Sequence, residues 1–354
     1  MSGAIAPQSP DERARVEALA LALTPGVGRV KFRELAARFG SAANAFAQTT
    51  PSGLREERVS TAHHALDEAR RVGARLLLLG DDEYPSALYD LPDPPLVLYA
   101  AGAVQWLAAD AAPFVAIVGT RRATHYGERV TREIASQLAR AGAVILSGLA
   151  RGIDAAAHGG GLAGKTAAVL GTGIDIAYPA AHRALHAELR ERGLLLSEQV
   201  PGCRATAGSF PERNRIIAAL ARMTIVVEAG HKSGALITAA RALDLDRVVA
   251  AVPGPIDSPQ SAGSNELLRD GAQMITCAED ALALAGLTPA VRGVARDVIG
   301  PDRAIWDAVG AGAHDIETIA TVTRLPAREV MAAVTRLEVS GALECRLTGE
   351  IRRR

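Results

Sequence analysis

The middle of the chain carries short, largely apolar runs at residues 114–118, 143–147, 166–170, 194–197, 224–228 and 248–252. Runs of this length without alternation predict strands buried on both faces. Helical spacing lies between them, at 127–141, 181–192, from Pro211 onward and after Gly234. Strands alternating with helices predict an α/β fold with a doubly wound parallel sheet and right-handed crossovers. Pro211 suits the first turn of its helix, with Ser209 as the expected cap.

Upstream, Val16, Leu19, Ala20 and Leu23 share a helical face, a second amphipathic run covers 30–40, and a third covers 54–72. Arg75–Leu79 reads as a strand. Pro92, Pro94 and Pro95 forbid a regular element just after it, so 91–99 is expected as an extended packing segment. Downstream, helical patterns at 302–310, at 315–322 and from Pro326 to about Gly341 precede a hairpin about Thr348-Gly349. The expected organisation is a disordered lead (1–10), a small helical domain (11–75), a connection (76–112), the sheet domain (113–285), a linker (286–301) and a C-terminal domain (302–354).

Composition narrows the partners. Lysines and arginines equal the acidic residues at 39 each, so a global basic field is absent and any polyanion must be met by a local cluster. Only Lys31, Lys165 and Lys232 are lysines, so an anion site here is built of guanidinium forks. Cys203, Cys277 and Cys345 lack disulfide or zinc spacing, which fits a reducing cytoplasm. The N-terminal residues have no signal-peptide pattern and no apolar run reaches membrane-spanning length. A metal or cofactor is not expected. The C-terminal stretch has as many acidic residues as arginines, so a strong duplex-binding face is not expected there.

The candidate chemistry lies at strand ends. The runs end in Gly119-Thr120-Arg121-Arg122, in Ser147-Gly148 leading to Arg151-Gly152, and in Gly171-Thr172. In an open parallel sheet such turns share the carboxyl edge, where glycine lets backbone N–H groups approach an anion and helix N-termini favour negative charge. Phe210, Arg213, Asn214 and Arg215 open one helix there, and Lys232, Ser233 and Gly234 open another. Phe210 is placed to stack on an unpaired base or to anchor the loop before it. Gly159 to Thr166 carries the spacing of G-x-G-x-x-G and of a P-loop, but it precedes a strand instead of following one, and no acidic residue ends the second strand, which sets aside dehydrogenases and P-loop NTPases. Asp154 and His158 are four apart on a helix, where a structural hydrogen bond or a cap outweighs catalysis.

Several motifs together, VAIVGTRRATHYG, ILSGLARGIDAAAHGGGL, AVLGTGIDIAYPAAH, FPERNRIIAAL and VVEAGHKSGALITAARAL among them, resemble the DNA-processing protein A (DprA, or Smf) family across the central domain. The flanks resemble a helix-hairpin-helix or SAM-like domain, through Thr24-Pro25-Gly26-Val27-Gly28, and a winged helix. The resemblance implies a Rossmann-like domain and a non-catalytic protein that binds single-stranded DNA, protects it during natural transformation and loads RecA onto it. It implies a homodimer and the strand-end residues above as the DNA site. Single-strand-binding protein and duplex DNA are further partners to test through the winged helix. The alternative is a Rossmann-like nucleotide phosphoribohydrolase. Those enzymes carry a double-glycine turn with a glutamate, where this chain has Lys232-Ser233-Gly234-Ala235-Leu236-Ile237-Thr238.

Overall fold

The computed structural model describes residues 10–108, 112–206, 208–288, 300–339, 342–345 and 350–353. The expected lead (apart from Pro10), most of the linker and the hairpin turn at 346–349 lie outside them. The chain divides into two compact units, Met1–Pro289 and Ala290–Arg354.

The first unit is built on a nine-stranded sheet. Its strands are β1 (Arg75–Leu78), β2 (Val97–Gly102), β3 (Phe114–Val118), β4 (Val144–Ser147), β5 (Lys165–Leu170), β6 (Leu194–Ser197), β7 (Met223–Val226), β8 (Val248–Ala251) and β9 (Gln273–Met274). They lie in the order β1-β2-β6-β5-β4-β3-β7-β8-β9. All pairings from β6 to β9 are parallel; β2 alone is antiparallel to both its neighbours. The proline-rich stretch is therefore partly sheet. Once past Pro95, Tyr99–Gly102 pairs with Leu194–Ser197 and extends the edge.

Period-2 alternation sorts the strand side chains onto two faces. Ala116 and Val118 of β3, with Val144 and Leu146 of β4, pack beneath α8 (Ser209–Leu220) and α9 (Gly234–Leu243). Val115, Ile117 and Ile145 face the other way, toward α5 (His125–Arg140), α6 (Ile153–Gly161) and α11 (Ala278–Ala285). On that second face, toward β2 and β6, the cover comes from the N-terminal helices α1 (Pro10–Ala22), α2 (Arg29–Phe39), α3 (Ala42–Thr49) and α4 (Ser52–Arg71), with α7 (Arg183–Arg192). Leu19, Phe32 and Phe46 share one core with Tyr99, Leu170 and Leu195. Helix α10 (Ala262–Arg269) precedes β9.

The topology decides where a ligand can sit. From β3 the chain steps outward through β4, β5 and β6, then returns to place β7 on the other side of β3. The connections after β3 and β7 diverge to opposite faces and leave a crevice at the carboxyl ends of the two strands.

The second unit holds α12 (Pro301–Gly310), α13 (Ile316–Thr323), α14 (Ala327–Val339) and the antiparallel pair β10 (Leu343–Cys345) and β11 (Ile351–Arg353). Ile305, Ile319, Val330, Leu343 and Ile351 form its core. Asp315 caps α13 by accepting from the Thr318 N–H at 2.8 Å.

Candidate functional site

The turn after β3 is stitched to its neighbours by backbone. Thr120 N–H donates to Glu228 O at 2.7 Å, and Ile153 N–H donates to Thr120 O at 3.2 Å. Thr120 Oγ1 accepts from Arg122 N–H at 3.2 Å, and both Arg121 and Arg122 emerge exposed. Gly152 has φ +73°, and a Cβ there would lie 2.3 Å from Thr120 O, so only glycine allows α6 to start this close. Glu228 is buried. Its carboxylate accepts from Thr124 N–H at 3.0 Å and Thr124 Oγ1 at 2.5 Å, which fixes the start of α5.

The second turn is held from beneath. Asp154 Oδ2 accepts from Gly148 N–H (3.1 Å) and Ala150 N–H (3.2 Å). Arg213 donates to Gly148 O at 2.6 Å and to Val169 O, and its guanidinium lies 3.8 Å from Asp154. Burial pushes the Asp154 carboxyl up and the Arg213 guanidinium down, while each opposes the other's shift. A Cβ on Gly148 would come within 2.0 Å of the Arg213 guanidinium, so this glycine is required by Arg213.

Several expected contact residues are therefore supports. Ser147 is fully buried and donates to Ile117 O at 2.7 Å, bracing β4 against β3. Thr172 is buried and donates to Ile176 O at 2.8 Å, while Gly171 abuts the Phe210 ring. Arg213 reaches the groove wall but spends its donors on two backbone carbonyls and on Asn214 Oδ1 at 2.9 Å. Arg215 leaves the groove altogether. It donates to Glu198 at 2.6 Å and to Asp93 O at 2.9 Å; Glu198 also takes Arg29 of α2 at 2.6 Å. Ser209 does not cap α8; it lies within the helix, exchanging hydrogen bonds with Thr206.

Asp154 and His158 take different partners. Thr166 Oγ1 donates to Ile145 O at 3.0 Å, so it accepts the Nδ1 proton of His158 at 2.8 Å. The His158 Nε2 is then a buried acceptor without a partner among the described residues. Burial, helped by Arg213 and His182, pushes its pKa down to about 3. Between that value and about 6.5, the unfolded chain holds a proton that the folded chain lacks, so stability falls as pH falls through the window. The stability advantage of wild type over His158→Met should shrink by about 2 kcal/mol between pH 7 and pH 5 in urea titrations. A constant difference would mean that His158 protonates normally in the fold.

The residues brought together line a groove of about 1140 Å³ between the turns after β3 and β7, with Phe210 and Asn214 from α8. A smaller cleft of about 360 Å³ adjoins it, lined by Arg121, Arg151, Tyr178 and Phe210 among others. Arg121, Arg122, Arg151 and Lys232 are exposed, and none forms an ion pair among the described residues. Ser233 caps α9, accepting from Ala235 N–H at 3.3 Å, and Asn214 Nδ2 donates to Gly234 O at 3.3 Å. With α6 and α8, three helices start at this edge, where their dipoles favour negative charge. Exposed guanidinium groups and helix starts on a glycine-lined edge give this groove the electrostatics that suit an anion.

Sequence reasoning missed Tyr178, whose ring centroid lies 5.3 Å from that of Phe210. An aromatic residue before proline in a loop after a strand-end glycine turn, in a chain with five tyrosines, was the available signal. Among the described residues no cluster of His, Cys, Asp or Glu could hold a metal ion, and no helix is long and apolar enough to cross a membrane.

The model of the DNA recombination-mediator protein A family matches residues 75–286, the whole sheet and every residue of the groove. The chain belongs to this family. It is similar to a DprA-type DNA processing protein of Mycobacterium tuberculosis, with 41% identity covering 92% of this chain and 88% of that one. The X-ray structure of DNA processing protein A from Streptococcus pneumoniae superposes with TM-score 0.65 and 34% identity, over 77% of this chain and 97% of that one. The Helicobacter pylori DNA processing protein A, described for its single-stranded-DNA binding mode, gives TM-score 0.55 and 33% identity, over 61% and 99%. The helices before residue 75 and the C-terminal unit lie outside the match.

Proposed function

We propose that the groove binds single-stranded DNA, and that the protein is a recombination mediator. It shields incoming strands during natural transformation and recombinational repair and loads RecA onto them, acting in the cytoplasm as a homodimer formed through the sheet domain. The observation that carries this reading is the set of four exposed, unpaired cations around Phe210 in a chain of zero net charge. A row of cations fits successive phosphates, and an aromatic ring fits a base only where bases are unstacked from a duplex. The Helicobacter pylori relative supports it by its described ligand. In the same reading the N-terminal helices are a SAM or helix-hairpin-helix-like accessory domain. The C-terminal unit, three helices and a hairpin, is a winged helix that meets duplex DNA or a protein partner.

A nucleotide hydrolase would need a free acid beside its ligand. Asp154 and Glu228 are buried and occupied by backbone and Thr124 donors, and the exposed carboxylate that lines the groove, Asp257, follows β8 and not β7. The turn after β7, where those hydrolases carry their glutamate, has no acid from Lys232 to Thr238, which favours binding over catalysis. Fluorescence anisotropy of a labelled single-stranded oligonucleotide, competed with duplex DNA and with AMP at two salt concentrations, tests the choice. Tight, salt-sensitive binding that resists both competitors is expected. Displacement by AMP would favour the phosphoribohydrolase.

A further inference from the structure

Phe210 is the aromatic residue that the sequence singles out, but its ring is already crowded. It is half-buried, Gly171 lies against its edge, and the Arg121 guanidinium stands over it 5.1 Å from the centroid. A base seeking its surface must compete with a cation already placed there. Tyr178 differs. The residue is 47% exposed, and its ring packs on Phe210 with the planes tilted by 38° and has no other ring or hydrogen-bond partner among the described residues. An exposed aromatic ring braced from behind by a second is rigid, so stacking on it costs little side-chain ordering.

The surroundings define what it could take. Arg121, Arg122 and Arg151 line the same cleft as Tyr178 and Pro179, so a planar apolar surface lies among cations. That pairing suits a nucleobase whose flanking phosphates reach the arginines. The cleft of about 360 Å³ falls at the low end of the roughly 300–1,000 Å³ typical of small-ligand sites, enough for one base but not for a duplex.

We infer that Tyr178 is the outward stacking platform for one unpaired base of the bound strand, with Phe210 as its support and Arg121 fixing the pair. This rests on the single-strand reading of the groove and names a base subsite within it. Arg122 and Arg151 hold the adjoining phosphates. Because any base has a flat face, the subsite reads strandedness and not sequence.

The test uses the full chain, an oligothymidylate and an abasic sugar–phosphate oligomer of the same length. Tyr178→Leu should weaken oligothymidylate binding by about 5- to 150-fold, the span expected when one base loses its stacking surface, with an unchanged salt slope. Tyr178→Phe should bind like wild type, and the abasic oligomer should not distinguish any of the three. Undiminished affinity in Tyr178→Leu, or an equal loss on both oligomers, would overturn the subsite while leaving the groove a single-strand site. Wild type that bound neither oligomer would overturn the single-strand reading and the subsite with it.

Discussion

Arg121→Ala combined with Arg122→Ala should flatten the salt dependence of single-strand binding by about 1.4 in log–log slope, about 0.7 for each phosphate no longer neutralised. Taking 1 M salt as the point where counterion release contributes nothing, the pair's loss is about 70-fold in affinity at 0.05 M. Both side chains are exposed and neither is ion-paired, so the fold should be unaffected, with stability within about 0.5 kcal/mol of wild type. The two arginines are not equivalent. Arg121 also covers the Phe210 ring, whereas Arg122 has only its backbone tied, to Thr120. Arg122→Ala alone should therefore remove half the slope change without disturbing the aromatic pair. Affinities measured from 0.05 to 0.3 M salt decide it, and a slope equal to that of wild type would move the DNA path away from this edge.

Arg213→Met should cost roughly 3–5 kcal/mol of stability in the sheet unit, the usual penalty for stripping the partner from a buried charge. The loss has two parts. Gly148 O and Val169 O lose their donor, and Asp154 stays buried with no cation beside it, its charge held by the Gly148 and Ala150 N–H groups and Ser147. Adding Asp154→Asn should recover part of the loss, because an amide oxygen can still accept those N–H groups without carrying charge. Urea denaturation followed by far-ultraviolet circular dichroism measures both variants. An Arg213→Met protein within about 1 kcal/mol of wild type would mean that the turn stands without its central cation. Since the turn carries Arg151, the single variant should also bind oligonucleotide more weakly under native conditions.

The contrast between these variants shows how far the site was legible beforehand. Arg121, Arg122, Arg213 and Arg215 all stand at or near strand ends or a helix start, and by type and position they look alike. Tertiary packing separates them. The first two meet solvent, Arg213 turns inward beneath the Gly148 turn, and Arg215 reaches back to Glu198 and Asp93. Which way a guanidinium turns depends on carbonyls and carboxylates well separated in sequence, Gly148 65 residues from Arg213 and Asp93 122 from Arg215 among them. Local spacing carries no record of those partners. Tyr178 was missed for a related reason. The stacking role proposed for it rests on Phe210, carried by α8, lying behind it.

The sheet was more legible because its causes are local. Runs such as Phe114–Val118 and Val144–Ser147 are apolar at every position but Ser147, and only strands covered on both faces bury such a run. The glycine-rich turns that follow them announce helix starts at a shared edge. The sequence by itself therefore determined the parallel α/β architecture, the edge that carries the groove and the cations exposed along it, since burial periodicity and backbone freedom are properties of a few neighbouring residues. Only the tertiary structure decided which of those residues face the groove and which hold it up, and that β1 and β2 join the sheet. Those outcomes depend on hydrogen bonds and ion pairs between segments that meet only once the chain has folded.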